Sequence, residues 1–289
     1  MTPHDAAPAR PRRSALSVPG DRPDRVRKAL ASAADEVVVD LEDAVAPDGK
    51  EAARGTVVDL LAALDPAERD RLAVRVNGRR TPWYVHDVAA LAACATPPAG
   101  VVLPMAESAE DLRDLDRRLA GTQVRTQALV ETAEGLHRVD EIAGTGDRLL
   151  GLVLGYADLA TSLGRDVGPG GDVAWLPVQH ALLLAARRHG VQALDGPFLD
   201  FRDTEGGAAA HAWAARLGFD GTWVVHPAQL DAANAAFTPT AEQVSRARAV
   251  VDAFEESLSG GAGAVGLDGA MLDRPVYDRA RQVLARAAD

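Results

Sequence analysis

The chain has 289 residues, 47% of them hydrophobic, and a formal net charge of −11. This acidity argues against a nucleic-acid partner, because phosphate binding needs a basic face. No uninterrupted run of about 18 apolar residues occurs, so we predict no transmembrane helix and no membrane partner. Cys94 is the only cysteine, which excludes an intrachain disulfide and favours a cytoplasmic location.

Short apolar, β-branched runs alternate with Ala-, Leu- and Arg-rich runs along most of the chain. We predict strands at 14–18, 36–41, 72–76, 100–103, 125–130, 149–154, 191–194 and 221–225, and helices at 23–33, 49–63, 81–93, 108–119, 134–142, 175–189, 205–217 and 227–237. Several strand runs are continuously apolar, as expected for parallel strands buried on both faces. This pattern predicts the α/β class and a (β/α)8 TIM barrel. A doubly wound open sheet is the alternative, disfavoured because no glycine-rich phosphate loop follows the first strand.

The barrel is predicted to occupy residues 13–237. Residues 1–12 are rich in Pro, Ala and Arg and are predicted to be a disordered lead without the apolar core of a secretion signal. After the barrel, 238–289 contains a helix over 240–258, a glycine linker, a short apolar piece and a last helix from about Arg274. This extension is predicted to be a helical lid.

The two lysines, Lys28 and Lys50, both fall in predicted helices and not at strand ends. A Schiff-base aldolase needs a lysine inside the active site, so an imine mechanism is disfavoured. An enzyme that handles an enolate would then need a metal or hydrogen-bond donors.

Two carboxylates follow adjacent predicted strands, where barrel enzymes carry their catalytic side chains. Glu131 follows the fifth strand and Asp158 the sixth, so the two can meet. Carboxylates with water and substrate oxygens suit Mg²⁺ or Mn²⁺. From spacing alone, Glu131 could equally form a salt bridge and Asp158 could cap a helix.

An arginine and an acidic cluster follow two further strands. Arg75 ends the third strand, where it could bind a substrate carboxylate or pair with Glu42 or Asp43. Asp40, Glu42 and Asp43 stand close together after the second strand. Like charges at this spacing suggest a nearby cation, or else acids at a helix N-terminus.

Seven short motifs resemble, in order, those of one known family. They are 17–23 (SVPGDRP), 39–45 (VDLEDAV), 75–77 (RVN), 129–135 (LVETAEG), 154–159 (LGYADL), 226–229 (HPAQ) and 269–275 (GAMLDRP). On these motifs the chain resembles the citrate lyase β-subunit-like family, the CoA ester lyases of the HpcH/HpaI aldolase superfamily. That family includes malyl-CoA, methylmalyl-CoA and citramalyl-CoA lyases.

The resemblance implies a Mg²⁺-dependent carbon–carbon lyase that cleaves or forms a 3-hydroxyacyl-CoA, with coenzyme A as part of the substrate and a 2-oxo acid as the second product. It implies a barrel with a C-terminal lid, assembled as a homotrimer or hexamer. Three alternatives stay open. They are a metal-dependent aldolase on free 2-oxo acids, a malyl-CoA thioesterase, and a non-catalytic acyl-CoA-binding subunit.

The resemblance also implies roles for individual residues. Glu131 and Asp158 would bind Mg²⁺ and, through it, the substrate, and Arg75 would hold the carboxylate of the 2-oxo acid. Asp273, on the lid, would be an acid–base residue donated to a neighbouring subunit. Asp43 is counted with Arg75 and Asp273 among the catalytic candidates.

The basic residues Arg22 and Lys28, near the start of the chain, look like contacts for the coenzyme A phosphates. From charge alone, this cluster suits a small polyanion such as a nucleotide tail, or is a solvated helix face. One position departs from the family. Many of its lyases carry a lysine after the proline that ends the fourth strand, and Met105 stands there in this chain. Met105 is closer to the related pyruvate-type class II aldolases and favours the free 2-oxo acid alternative.

Overall fold

The computed structural model describes residues 11–167, 173–259, 265–267 and 270–287. Its main feature is a closed barrel of eight parallel strands that pair in sequence order, the last with the first. The strands are β1 (Ser14–Pro19), β2 (Glu36–Asp40), β3 (Leu72–Arg75), β4 (Gly100–Leu103), β5 (Arg125–Val130), β6 (Leu149–Leu154), β7 (Gln192–Asp195) and β8 (Gly221–Val224). The predicted (β/α)8 barrel is therefore confirmed.

Helices connect consecutive strands. Those within or at the end of the barrel are α1 (Pro23–Leu30), α2 (Lys50–Ala63), α3 (Pro66–Arg69), α4 (Tyr84–Ala93), α5 (Ala109–Arg118), α6 (Ala133–His137), α7 (Val139–Ala143), α8 (Tyr156–Leu163), α9 (Leu176–His189), α10 (Thr204–Leu217) and α11 (Leu230–Phe237). No helix in the described ranges is long and apolar enough to cross a membrane.

The prediction of a single helix over 134–142 was wrong, because this segment forms two short helices, α6 and α7. The chain turns at Arg138, whose ψ of 17° lies outside the helical range. The second piece, α7, then buries Val139, Ile142 and Ala143. Two further helices, α3 and α8, were not predicted; α8 begins directly after β6.

The barrel interior is filled by one buried side chain from each strand. They are Ala15, Val38, Ala73, Val102, Leu129, Val153, Leu194 and Trp223. Ala15 is the register partner of Trp223 on the adjoining strand, so a small side chain leaves room there for the largest one. Because side chains fill the interior of the barrel, a substrate can bind only at the ends of the strands.

The barrel begins slightly earlier than predicted. Of the predicted lead at 1–12, residues 1–10 lie outside the described residues. Arg12, however, is buried, and its Nη1 lies 3.4 Å from Glu36 Oε2 while its Nε donates to Gln192 Oε1 at 2.6 Å. This side chain joins the starts of two strands and so belongs to the barrel.

The chain divides into two compact units, 12–234 and a second unit that includes 235–289. The second unit contains α12 (Ala241–Ser259), a hairpin of β9 (Val265–Leu267) and β10 (Ala270–Leu272), and α13 (Arg274–Ala287). Its core has Phe254 stacked on Tyr277 with ring centroids 4.9 Å apart. The predicted glycine linker lies largely outside the described residues, and the lid function stays a prediction.

Candidate active site

Four of the predicted site residues line one cavity at the C-terminal ends of the strands. Arg75, Glu131, Asp158 and Asp43 share this cavity, which has a volume of about 190 Å³. Parallel strands all end at the same rim of a barrel, so residues far apart in sequence converge there. We call it the carboxylate cavity.

Arg75 is held by the acids that follow β2. Its Nε and Nη2 donate to the two oxygens of Asp40 at 2.8 and 2.6 Å, a bidentate pair. Its Nη1 lies 2.8 Å from Glu42 Oε2 and 3.7 Å from Asp43 Oδ2. The ion pair that the sequence left open therefore exists, with Asp40 as an additional and better-oriented partner.

These ion pairs leave some N–H groups of the Arg75 guanidinium available. Arginine has five N–H groups, and Asp40 accepts two of them. Since Arg75 also lines the cavity, N–H groups on its outer side can meet a substrate carboxylate. Burial lowers the pKa of Arg75, but Asp40 and its neighbouring carboxylates outweigh this effect and raise it, so the charge is permanent.

Asp40 organises the loop that carries the acidic cluster. Besides pairing with Arg75, its carboxylate accepts hydrogen bonds from the backbone N–H groups of Glu42 (2.8 Å) and Ala44 (3.1 Å). Lys50 fixes the same loop, because its buried ammonium donates to the carbonyls of Leu41 and Glu42 at 2.8 and 2.6 Å. Lys50 thus holds this loop in place, and the absence of imine chemistry stays a prediction.

Glu131 is buried, and only one of its oxygens is engaged. Its Oε1 accepts the backbone N–H of Met105 at 2.8 Å. Its Oε2 accepts no hydrogen bond from the described part of the chain. The salt bridge to a neighbouring strand that the sequence left open is not formed by any described residue. One carboxylate oxygen is therefore available to a ligand in the cavity.

Gly155 makes room for this carboxylate. A Cβ at position 155 would lie 2.6 Å from Glu131 Oε2 and 2.7 Å from its Cβ. Any side chain there would displace the carboxylate. Gly155 is also the N-cap of α8, which places Asp158 in the first turn of that helix. The alternative in which Asp158 is itself the N-cap is therefore wrong.

The carboxylate cavity contains more acidic than basic side chains, which favours binding of a cation. Burial raises the pKa of Glu131 to about 8, against the opposing effects of the Met105 N–H and Arg75, and nearby Asp158 raises it further. Burial likewise raises the pKa of Glu42 to about 8, and burial and Asp43 raise that of Asp158. Several carboxylates with one arginine and one unengaged oxygen fit a hard divalent cation such as Mg²⁺.

The protein would supply two carboxylates to such an ion. In the described part of the chain no group of three or more His, Cys, Asp or Glu side chains is arranged to hold a metal. Mg²⁺ is commonly held by one or two carboxylates, with water and substrate in its other positions. The assignment of Glu131 and Asp158 as metal ligands stays a prediction that this geometry supports.

Met105 has a strained backbone that aims its N–H at Glu131. Its φ of 49° makes it the one non-glycine residue with positive φ in the described ranges. A left-handed conformation costs an L-residue about 1–2 kcal/mol. Strain of this kind persists where the surrounding structure requires it, often at functional sites. Met105 stands where the sequence departs from the family's usual lysine, and its main-chain N–H orients Glu131, a candidate metal ligand.

We expect Met105→Gly to leave the free energy of unfolding unchanged or raise it by up to about 1 kcal/mol, because glycine tolerates positive φ. Met105→Val should lower it by about 1–2 kcal/mol, since a β-branched residue resists this conformation. Urea unfolding of both variants measures which of them is more stable. Equal free energies of unfolding for Met105→Gly and Met105→Val would contradict backbone strain at Met105.

Asn77, which ends the third motif, points away from the cavity. Its backbone N–H and its side chain both donate to Asp87, at 3.0 and 2.6 Å, and Arg54 completes the cluster with a 2.7 Å bond to the same carboxylate. This cluster, in which Asn77 and Asp87 are buried and Arg54 is partly exposed, joins the loop after β3 to α2 and α4. The motif therefore combines one cavity residue with one structural residue.

Among the remaining predicted residues, Arg22 and Lys28 do not line the carboxylate cavity, and Asp273 belongs to the second compact unit. Arg22 and Lys28 are exposed at the start and on the outer face of α1, and Arg22 lies 3.6 Å from Asp24. Asp273 is exposed before α13, and its Oδ1 accepts the Val276 N–H at 3.3 Å, which caps this helix. Their proposed contacts with coenzyme A and substrate stay predictions.

Sequence reasoning gave no role to several residues of the cavity wall. Tyr156, Leu199 and Trp223 line it together with Ser17 from β1. Tyr156 and Ser17 belong to motifs recognised in the sequence, whereas Leu199 and Trp223 do not. The Tyr156 hydroxyl donates to Asp195 Oδ1 at 2.6 Å, which ties α8 to the end of β7.

The fold and the site together define a (β/α)8 barrel with a carboxylate-lined cavity at the C-terminal ends of its strands, where barrel enzymes carry their active sites. Residues 13–227 match the HpcH/HpaI aldolase/citrate lyase family, and the chain belongs to this family. The predicted resemblance is thereby confirmed.

Relatives with assigned activities support the match over nearly the whole chain. The L-malyl-CoA/beta-methylmalyl-CoA lyase of Cereibacter sphaeroides is 34% identical, covering 98% of this chain and 96% of the relative. A (3S)-malyl-CoA thioesterase of the same species is 38% identical, covering 96% and 95%. Protein CitE from Mycobacterium tuberculosis, solved with magnesium, acetoacetate and coenzyme A, has a TM-score of 0.79 and 37% identity, covering 97% and 99%.

Proposed function

We propose that this protein is a Mg²⁺-dependent lyase that breaks or forms the carbon–carbon bond of a 3-hydroxyacyl-CoA such as malyl-, methylmalyl- or citramalyl-CoA. The products are acetyl- or propionyl-CoA and a 2-oxo acid. The observation that carries this proposal is the carboxylate cavity, where Glu131, Asp158 and Arg75 meet in a chain of the aldolase/citrate lyase family. The names of the relatives support the thioester substrate.

Three side chains of the cavity bind and orient the hydroxyacyl end. Glu131 and Asp158 would hold Mg²⁺, or Mn²⁺ in its place. When bound, the ion supplies a Lewis acid that favours loss of the hydroxyl proton and stabilises negative charge on that oxygen. Arg75 neutralises the free carboxylate of the substrate with the N–H groups that Asp40 leaves unused. Asp43, which lines the same cavity, would take the hydroxyl proton.

The bond that breaks joins the α-carbon of the thioester to the carbon that bears the hydroxyl. Its electron pair remains on the α-carbon as the thioester enolate, while the hydroxyl carbon becomes the carbonyl of the 2-oxo acid. Asp273 then delivers a proton to the α-carbon, and in the condensation direction it removes that proton. The exposed Asp273 carboxylate is free to approach a reacting group once its weak capping bond is broken.

The assembly that we propose is a homotrimer or hexamer in the cytoplasm, in which Asp273 serves the active site of a neighbouring subunit. Arg22 and Lys28 would bind the phosphates of coenzyme A. Their exposure on α1 supports contact with a soluble polyanion.

The test is an assay of purified protein with Mg²⁺ and a panel of malyl-, methylmalyl- and citramalyl-CoA, with 2-oxo acid and free thiol measured separately. We expect 2-oxo acid without free thiol, and no product in the presence of EDTA. Free thiol without 2-oxo acid would identify a thioesterase, the second candidate, which the 38% identical relative favours. Metal binding without either product would overturn both functions.

Replacing Asp273 with Asn should reduce turnover by about 10²–10⁴-fold, the usual contribution of a general acid or base. Binding of Mg²⁺ and of the 2-oxo acid should be unchanged, because the barrel supplies those ligands. Asp278→Asn, five residues along on α13, is the matched control. Full turnover in the Asp273 variant would remove it from the mechanism.

A further inference from the structure

A second cavity adjoins the carboxylate cavity. Its volume is about 380 Å³, and it lies beyond the ends of β6 and β7. Tyr156, Pro197 and Leu199 line both cavities and therefore form the wall between them. A group that projects from a ligand in the carboxylate cavity would pass these residues and enter the second cavity.

The walls of the second cavity are mainly apolar and aromatic. Trp175 meets Tyr156 edge to face with ring centroids 4.9 Å apart, and Phe198 and Ala210 add to the lining. The polar Tyr156 hydroxyl is already engaged, because it donates to Asp195 and accepts from Gln179 Nε2 at 2.7 Å. Such a lining suits hydrocarbon more than a strongly hydrated group.

The charge of the second cavity excludes anions. Asp195, Asp200 and Asp203 line it, whereas none of its described lining residues is Lys or Arg. His211 does not compensate, because its burial lowers the pKa of the imidazole to about 4 and leaves the ring neutral. Its Nε2 is buried without a hydrogen-bond partner in the described part of the chain. A carboxylate or phosphate would meet repulsion here.

The position of the cavity indicates which part of the substrate it would take. In the barrel order, β6 and β7 lie across from β2 and β3, whereas α1, with Arg22 and Lys28, connects β1 to β2. If the nucleotide end of the thioester lies on the α1 side, the 2-oxo acid end faces β6 and β7. A substituent on the oxo carbon would then point past Tyr156.

Given the proposed function, we infer that the second cavity is a subsite for a neutral hydrocarbon side chain on the 2-oxo acid. The enzyme accordingly accepts linear 2-oxo acids with side chains longer than a methyl group. The same subsite rejects acids of equal length that end in a second carboxylate.

The test is the condensation of acetyl-CoA with glyoxylate, 2-oxobutyrate, 2-oxovalerate or 2-oxoglutarate in the presence of Mg²⁺. We expect kcat/KM for 2-oxovalerate to match or exceed that for glyoxylate. The value for 2-oxoglutarate, which has the same number of carbons as 2-oxovalerate, should be lower by tenfold or more, since a buried unpaired charge is strongly disfavoured. Preference for glyoxylate over both 2-oxobutyrate and 2-oxovalerate would overturn the inference.

A substitution that fills the cavity separates this subsite from the catalytic machinery. Ala210 is buried on α10 and lines the second cavity only, so Ala210→Leu grows into it. It should lower kcat/KM for 2-oxovalerate by about tenfold or more and leave glyoxylate within about twofold. Ala209→Leu, on the exposed face of the same helix, is the matched control and should change neither.

Binding without chemistry distinguishes failure of the subsite from failure of the proposed function. Calorimetric titration of 2-oxovalerate with Mg²⁺ and no thioester should give a Kd that rises about tenfold in Ala210→Leu, with no change for glyoxylate. An equal Kd in Ala210→Leu and wild type would mean that the cavity holds water only, and would overturn the subsite even if lyase activity is present. The predicted difference in Kd without any condensation would retain the subsite and reject the lyase.

Discussion

Replacing Glu131 with Gln should lower kcat/KM by on the order of 10²–10³-fold and weaken Mg²⁺ binding in parallel. The amide keeps the oxygen that accepts the Met105 N–H, so the side chain should stay in place. What it loses is the negative charge on the oxygen that no described residue engages. Electrostatic groups at the reacting centre commonly contribute a rate factor of this size.

The same variant should be no less stable than the wild type when metal is absent. Burial raises the pKa of Glu131 to about 8, so the folded state carries an unfavourable charge when this group is ionised. A neutral amide removes that charge. Thermal unfolding in EDTA should therefore show an equal or higher Tm, whereas added Mg²⁺ should stabilise only the wild type.

The control is Glu134→Gln, the same change three residues along the chain. Glu134 is exposed and forms a 2.8 Å ion pair with Arg138 within one helix turn. Such surface pairs contribute little to stability. Activity, metal affinity and Tm should match the wild type. If Glu131→Gln retained wild-type dependence on Mg²⁺, Glu131 would not be a metal ligand.

Replacing Arg75 with Met should lower the free energy of unfolding by about 3–5 kcal/mol, the usual effect of removing one partner from a buried ion pair. Asp40 and Glu42 would lose the cation that they share, and both are largely buried. Condensation activity should also be lost, because the substrate carboxylate would have no counter-charge. Urea unfolding of the metal-free protein at neutral pH measures the loss.

The pH dependence identifies the origin of this loss. In the variant, the pKa of Glu42 would rise above its already raised value of about 8, and a carboxyl group whose pKa is raised by folding favours the folded state when it is protonated. Below about pH 8 Glu42 is protonated in both folded proteins, so its share of the stability deficit should appear and grow as the pH rises through about 8 and above. A pH-independent deficit would instead indicate lost packing.

Arg188→Met provides the control for the arginine change. Arg188 lies on the surface, with its Nη1 2.9 Å from Asp140, and 70% of its side chain is exposed. Its removal should change the free energy of unfolding by less than about 1 kcal/mol. If both variants lost the same stability, the buried cluster around Arg75 would not be the cause.

The sequence by itself determined the order and the number of the barrel strands. Continuous apolar runs such as 37–39 and 152–154 must be buried on both faces, and this requirement is local to each run. It also determined that Glu131, Asp158 and Arg75 follow strand ends, because the end of an apolar run is visible in the sequence. In a parallel barrel, that alone brings them to one rim.

Only the tertiary structure decided what those side chains contact there. Arg75 meets Asp40 across 35 positions of sequence, and Glu131 meets Met105 across 26, because neighbouring strands set the register. The positive φ of Met105, the space at Gly155 and the second cavity beside Tyr156 likewise depend on packing between separate βα units. Local patterns record which residues are apolar and where strands end, but such contacts are fixed only when the barrel closes.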